Sequence, residues 1–185
     1  MKHLYYARHG QSLVNVGGQF CTRVGTPLDQ GLTELGRQQA LQAGRRAQQA
    51  GFSFDLVLSS PLVRAQETAQ LIAEQVGYPS AAIQTLELLI ELQFGELEGT
   101  QCDLFYDNYS YADLDKFHGA ETITELQARA GQALEQLRGL PDQHILVVSH
   151  SLFGRALRRV VNGQPASDEF VHGQSLPHGD IIQLI

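Results

Sequence analysis

Short apolar runs alternate with longer amphipathic patterns along this chain, and this alternation constrains the fold more than any other feature. The apolar runs are residues 3–7, 54–59, 145–148 and 180–185. Each is too short for a helix and is bounded by turn residues, which is typical of strands buried in a sheet. Strands that alternate with helices form mostly parallel sheets. The sequence therefore predicts an α/β fold, a three-layer α/β/α sandwich around a mostly parallel sheet.

The helical patterns begin at residues that cap helices well. They cover about residues 33–50, 60–76 and 122–138, and a further helix opens at Ser151. At the second of these, Ser60 offers a capping hydroxyl and Pro61 suits the first helical position. Residues 10–31 are predicted to form a polar, glycine-containing loop. The pentapeptide at residues 9–13 recurs at residues 172–176, and we interpret this recurrence as coincidence.

One segment departs from the regular pattern of strands and helices. The 185 residues match the length of one domain, so residues 1–185 are predicted to form a single domain. Between about residues 99 and 121, however, the pattern breaks down, and five of the chain's 14 aromatic residues lie there. A long irregular segment in a compact domain is either functional or disordered, and the aromatic residues argue against disorder. We call residues 99–121 the lid segment and predict a small lid insertion.

Charge and cysteine content argue against several classes of protein. The net charge of −7 disfavours nucleic-acid binding, which needs a basic surface. No apolar run approaches the ~20 residues of a membrane span, and the first residues are too few and too polar for a signal peptide. Cys21 and Cys102 follow no ligand spacing, and free thiols are favoured over a single disulfide. We therefore expect a cytoplasmic protein that binds neither nucleic acid nor membrane.

Basic residues follow three of the predicted strands. Arg8 and His9 end the first strand, Arg64 follows the second, and His150 follows the run at residues 145–148. Ligands of open α/β sheets bind beyond the carboxyl ends of the strands, and arginine there suits oxyanions because its planar donors match them. Taken singly, Arg64 is typical of a solvated helix surface and His150 of a core histidine. Their coincidence at strand ends predicts an anion site.

The motifs of several other catalytic centres are absent from the sequence. It contains no Gly-x-Ser-x-Gly elbow, no Gly-x-x-x-x-Gly-Lys loop, no Gly-x-Gly-x-x-Gly turn and no His-x-x-x-His pair. A histidine that attacks phosphorus is the remaining candidate. Such a nucleophile needs one unprotonated ring nitrogen, cations around the phosphoryl oxygens and an acid for the leaving group.

Five groups of residues, taken in order, carry a family resemblance. They are Arg8-His9-Gly10-Gln11-Ser12 with Asn15, Leu32-Thr33-Glu34-Leu35-Gly36, Ser59-Ser60-Pro61-Leu62 with Arg64, Glu91 with Phe94-Gly95-Glu96-Leu97-Glu98-Gly99, and Val148-Ser149-His150. Together they resemble the histidine phosphatase superfamily, in its phosphoglycerate-mutase-like branch. The resemblance covers residues 3 to about 155.

The resemblance implies a reaction through a phosphohistidine that needs neither a metal nor a cofactor. It makes His9 the nucleophile, and it makes Glu91 the acid for the leaving group and then the base for water. The residues implied to bind the phosphoryl group are Arg8, Asn15, Arg64, His150 and Ser151. Because His9 must be neutral while Glu91 carries a proton, we expect a bell-shaped rate profile with its optimum on the acid side of neutral.

The superfamily contains both phosphatases and mutases, and the residues here favour hydrolysis. Mutases of the family carry arginine and tyrosine behind the catalytic glutamate, where this chain has Leu92 and Phe94. The lid segment has one lysine, Lys116, against four aspartates. We therefore predict a phosphatase that releases phosphate from a small phosphorylated metabolite. A phosphoglycerate-type mutase, a protein-phosphohistidine phosphatase and a non-catalytic anion-binding module are the alternatives.

The aromatic lid segment has two interpretations. Its rings can stack on a hydrophobic or nucleoside-like leaving group, or they can pack the segment onto the domain. The acidic residues of the segment argue against substrates with several phosphates. No oligomeric state is predicted.

Overall fold

The computed structural model describes residues 1–165 and 176–185. The second copy of the repeated pentapeptide therefore lies outside the described residues, apart from Leu176. The strands are β1 (His3–Arg8), β2 (Leu56–Ser59), β3 (Gln84–Thr85), β4 (His144–Ser149) and β5 (Ile181–Gln183). They form one sheet in the order β3-β2-β4-β1-β5. Only β5, which pairs with β1, is antiparallel, so the predicted mostly parallel sheet is confirmed.

Helices cover both faces of this sheet. They are α1 (Leu13–Gly17), α2 (Glu34–Gln49), α3 (Val63–Val76), α4 (Cys102–Tyr106), α5 (Ile123–Arg138) and α6 (Ser151–Val161). Short 3₁₀ turns occur at Ser80–Ala82, Glu87–Leu89, Gly95–Leu97 and Tyr111–Lys116. Helices α2 and α3 pack against one face, and α5 and α6 pack against the other. The three-layer sandwich is thereby confirmed. No helix among the described residues is long and apolar enough to cross a membrane.

The central strands are buried on both faces because their side chains alternate between two cores. In β1, Leu4 and Tyr6 join the core on the α5–α6 side, whereas Tyr5 and Ala7 join the core on the α2–α3 side. Strand β4 alternates in the same way from Ile145 onward. This double burial explains why the strands are continuous apolar runs in the sequence.

The prediction of a loop over residues 10–31 is wrong for Leu13–Gly17, which form α1. Ser12 and Asn15 close a capping box at its start, and Gly18 ends it at φ 66°. A helix of five residues is too short to display a hydrophobic period, and the sequence pattern therefore misses it.

The predicted start of α3 is also wrong. The residue that precedes the first helical turn is Leu62, which makes no side-chain capping bond, and the helix begins at Val63 rather than at Pro61. The Ser60 hydroxyl instead lies 2.7 Å from Nε2 of His150. Asp29, in the loop between α1 and α2, supplies the capping bond instead, because its Oδ1 accepts from the Val63 N–H at 3.0 Å.

Two glycines allow α2 to approach the end of β1 closely. A Cβ added to Gly10 would lie 2.3 Å from the Gly36 carbonyl oxygen, and one added to Gly36 would lie 1.9 Å from the carbonyl oxygen of Gln11. Both contacts are with backbone atoms, which cannot move aside without shifting the segment that carries His9.

We expect Gly36→Ala to destabilise the protein by about 2–3 kcal/mol, because it forces backbone apart in a packed region. Gly131→Ala in α5 is the matched control, since a Cβ there meets nothing within 4 Å. It should stabilise the protein by ~0.5–1 kcal/mol through helix propensity. Chemical denaturation of both variants measures the difference, and equal stabilities would contradict the close approach.

Candidate active site

The register of the sheet brings the ends of three strands together. Arg8 is level with Ser149, and the His9 N–H donates to the Ser149 carbonyl at 2.9 Å. On the other side of β4, the Ser60 N–H donates to the Val148 carbonyl at 3.0 Å. The residues that follow β1, β2 and β4 therefore share one edge, as the sequence predicts for parallel strands.

A cleft of about 300 Å³ opens at this edge. Six of the seven predicted site residues line it, namely Arg8, His9, Asn15, Arg64, Glu91 and Ser151. The seventh, His150, is fully buried and does not line the cleft. The centroid of its ring lies 5.1 Å from that of His9.

The hydrogen bonds of His9 define which ring nitrogen is free of a proton. Nδ1 lies 2.7 Å from the Gly10 carbonyl oxygen, which can only accept, so Nδ1 carries the hydrogen. Nε2 accepts from Nε of Arg64 at 3.3 Å, and an arginine can only donate. Both neighbours therefore leave the lone pair on Nε2, and a nucleophilic histidine needs such a lone pair.

Arg64 is buried at the start of α3 and has one nitrogen without a partner. Its Nη2 donates to the Cys21 carbonyl at 2.9 Å, while Nη1 is buried and makes no hydrogen bond. Arg8 donates from Nη1 to the Leu176 carbonyl at 3.0 Å. The guanidinium groups of Arg8 and Arg64 thus accompany His9 in the same cleft.

His150 presents a second buried atom without a partner. Its Nδ1 makes no hydrogen bond, and its backbone carbonyl accepts from the Tyr6 hydroxyl at 2.5 Å. Buried polar atoms are almost always satisfied, so unpartnered nitrogens of Arg64 and His150 around His9 need an explanation. An oxyanion bound beside His9 would accept hydrogen bonds from such groups.

Burial and the arginines keep both histidines neutral. Burial is the largest influence, and with the positive charge of Arg64 it holds the pKa values of His9 and His150 well below 6.5. For His9, removal of the imidazole from water lowers the pKa more than the positive charges of Arg64 and Arg8 do.

Acidification is expected to destabilise the protein through these two histidines. Between the lowered folded pKa and the unfolded value near 6.5, the unfolded chain binds protons that the folded chain excludes. The contribution of these histidines to the free energy of unfolding is therefore fully present above about pH 6.5. As the pH drops below 6.5, the free energy of unfolding decreases by up to about 1.4 kcal/mol per pH unit for each histidine.

Denaturant unfolding at pH 7.5, 6.5 and 5.5 measures this slope. In a His9→Gln variant the fall between pH 6.5 and 5.5 should be smaller by about 1 kcal/mol, because one titrating group is gone. A variant whose slope equals that of the wild type would contradict the neutral, buried state of His9.

Glu91 caps helix α6, a role that the sequence does not reveal. Its Oε2 accepts from the Leu152 N–H at 3.1 Å, and its Oε1 accepts from the Phe153 N–H at 2.9 Å. His150, which occupies the N-cap position of α6, makes no side-chain capping bond. The Glu91 carboxyl group is consequently held at the helix start, beside the segment that contains His150 and Ser151.

Most rings of the lid segment pack against other rings. Phe105 is buried and contacts the rings of Phe20, Tyr106, Tyr109, Tyr111 and Phe117. Phe20 also stacks on Phe94 with 3.8 Å between the ring centroids. Only Tyr106 and Tyr111 of the lid aromatics line the cleft, and their hydroxyl groups hydrogen-bond to each other. These contacts favour the interpretation that the rings pack the lid segment onto the domain.

Sequence reasoning missed one basic residue of the cleft, Arg155. It lies on α6 four positions after Ser151, and both line the cleft. Residues four apart share a helix face, so this spacing could have identified Arg155 once Ser151 was placed. Among the described residues, no cluster of three His, Cys, Asp or Glu side chains could hold a metal. Cys21 and Cys102 are both free thiols.

The family of the chain follows from a match over most of its length. The sequence model of the protein family described as histidine phosphatase superfamily (branch 1) matches residues 4–176. This range includes every predicted site residue. The chain belongs to the histidine phosphatase superfamily. The resemblance noted in the sequence is thereby confirmed.

The relatives include both mutases and phosphatases. A 2,3-bisphosphoglycerate-dependent phosphoglycerate mutase from Methylobacterium sp. (strain 4-46) is 33% identical over 174 residues, 86% of this chain and 80% of that protein. A putative alpha-ribazole-5'-P phosphatase from Escherichia coli superposes with a TM-score of 0.78 at 28% identity, covering 99% and 90% of the two chains. A phosphoserine phosphatase from Entamoeba histolytica, in complex with 3-phosphoglyceric acid, gives a TM-score of 0.76 at 25% identity with the same coverage.

Proposed function

We propose that this protein is a metal-independent phosphatase that hydrolyses a small phosphorylated metabolite through a phosphohistidine on His9. The hydrogen bonding of His9 carries the proposal, because it leaves the Nε2 lone pair unprotonated beside a buried guanidinium. The unpartnered Arg64 Nη1 and His150 Nδ1 add support, since a phosphoryl group can accept from both.

In the first step, the Nε2 lone pair of His9 attacks phosphorus and a P–N bond forms. The P–O bond to the leaving group breaks, and the ester oxygen takes a proton from the Glu91 carboxyl group. Arg8 and Arg64 neutralise the charge on the phosphoryl oxygens, and Asn15 contributes its amide N–H₂. Ser12 supports this orientation of Asn15, because its N–H and hydroxyl both donate to Oδ1.

In the second step, water attacks the phosphorus of the phosphohistidine. Glu91, now ionised, takes the proton from the water, and the electrons of the P–N bond return to Nε2. Inorganic phosphate leaves, His9 is neutral again and Glu91 is protonated for the next cycle. The lowered pKa of His9 supports these two reaction steps, since a protonated imidazole could not attack phosphorus.

Residues around the cleft support hydrolysis over mutase activity. Leu92 is fully buried in the core and Phe94 is stacked on Phe20, so neither provides a polar contact for a second anionic group. Lys116 is ion-paired with Asp113 and does not line the cleft. Relatives named as mutases keep phosphoglycerate mutase activity as the second candidate.

The test is a panel of phosphomonoesters assayed in EDTA, with inorganic phosphate and isomerised phosphoglycerate both quantified. We expect phosphate release that needs no added metal, together with little isomerisation. Turnover that requires metal would contradict the mechanism, and isomerisation faster than hydrolysis would favour the mutase.

The two free thiols support the further proposal of a cytoplasmic location.

A further inference from the structure

Arg129 of α5 makes an unusual number of hydrogen bonds for a residue outside the cleft. Its side chain is 12% exposed. Nη1 donates to the carbonyls of Leu88 and Ile90 at 2.8 and 2.7 Å, and Nη2 donates to the carbonyl of Glu91 at 3.2 Å. Nε and Nη2 also donate to the two carboxylate oxygens of Glu121, at 2.8 and 2.6 Å. One guanidinium thus holds three backbone carbonyls of the segment that delivers the Glu91 side chain.

Glu121 hydrogen-bonds to the same segment at Gln93, two residues after Glu91. Its Oε2 accepts from the Gln93 N–H at 3.2 Å, and its own N–H donates to the Gln93 carbonyl at 2.8 Å. Glu121 is almost as well shielded as its partner, at 10% exposure. The ion pair therefore fixes the backbone immediately before and after Glu91.

A further contact links this ion pair to the carboxyl group itself. The guanidinium of Arg129 lies over the ring of Phe153, with 5.3 Å from its central carbon to the ring centroid. The N–H of Phe153 is one of the two helix donors that hold the Glu91 carboxylate. Arg129 thus contacts both the main chain of Glu91 and the helix turn that orients its side chain.

We infer that Arg129 and Glu121 are positioning residues for the general acid Glu91. The inference rests on the proposed function, in which Glu91 protonates the leaving oxygen. Proton transfer depends on geometry, and a displacement of about 1 Å can lower a rate by roughly 10²-fold. A lysine at position 129 keeps the charge but lacks the planar fork, so it cannot hold three carbonyls and a carboxylate together.

The leaving group of the substrate provides the readout. An alkyl phosphate such as β-glycerophosphate needs a proton on its departing oxygen, whereas p-nitrophenyl phosphate releases a phenolate that is stable without one. We expect Arg129→Lys to lower kcat/KM for the alkyl ester by roughly 10²-fold and to change it little for the aryl ester. Glu121→Gln, an isosteric change, should give the same selective loss. A purely structural role would lower both rates together.

Two further variants make the outcome decisive. Glu91→Gln is the reference for loss of the acid, and Arg138→Lys, an exposed arginine on the same helix, is the matched control that should leave both rates unchanged. If Glu91→Gln lowers kcat/KM only for the alkyl ester, while Arg129→Lys and Glu121→Gln lower kcat/KM for both esters or for neither, the inference is overturned and the proposed function stands. If Glu91→Gln itself shows no selectivity, the acid role proposed for Glu91 fails together with the inference.

Discussion

Replacement of His9 by alanine should abolish the hydrolysis of phosphomonoesters, with a fall in kcat on the order of 10⁶-fold, as for removal of a covalent nucleophile elsewhere. The reason is that, among the described residues, His9 is the one histidine that lines the cleft. The neighbouring imidazole of His150 is fully buried, and its Nε2 hydrogen-bonds to the Ser60 hydroxyl. It therefore cannot replace the nucleophile without rearrangement of the strand ends.

Steady-state hydrolysis by the purified variant measures this effect. His118→Ala is the matched control, since it removes an exposed histidine of the lid segment. It should retain wild-type turnover. A His9→Ala protein that is folded and keeps activity within tenfold of the wild type would show that another group performs the chemistry.

Replacement of Arg64 by alanine should lower kcat/KM by about 10²–10³-fold, the usual effect of removing one preorganised donor to a transferring group. Its Nε donates to His9 Nε2, the proposed nucleophile, and its buried Nη1 has no hydrogen-bond partner and could donate to a phosphoryl oxygen. Arg64 is also the largest charge that lowers the pKa of His9. Its removal should let that pKa rise, so the loss of rate on acidification should begin at a higher pH.

The pH dependence of kcat/KM in wild type and Arg64→Ala separates these two effects. Arg45→Ala, an exposed arginine of α2, is the control and should change neither the rate nor the profile. An Arg64→Ala profile that keeps the wild-type acid limb would contradict the electrostatic link between Arg64 and His9.

The parts of the site that sequence predicts are those governed by local rules. Arg8, His9 and His150 directly follow strands, and parallel strands bring such residues to one edge. The capping signals at Thr33 and Thr122 place α2 and α5 correctly, because each cap bonds a backbone N–H only three residues away.

The parts that sequence misses depend on short elements or distant contacts. Helix α1 and strand β3 are too short to show a period. The partner that Ser60 finds in His150 lies 90 residues along the chain, so the local capping signal at Ser60 is misleading. Two further contacts also join segments far apart in sequence. Glu91 caps α6, and Arg129 hydrogen-bonds to the backbone carbonyl of Glu91.

Trapping of the covalent intermediate tests the central claim most directly. The protein is mixed with substrate, denatured in alkali during turnover and digested with trypsin, and phosphate is located by mass spectrometry. We predict acid-labile, alkali-stable phosphate on the peptide of residues 9–23, which trypsin releases by cleavage after Arg8 and Arg23. Phosphate on another peptide, or none on this one while hydrolysis proceeds in the same sample, would contradict the account.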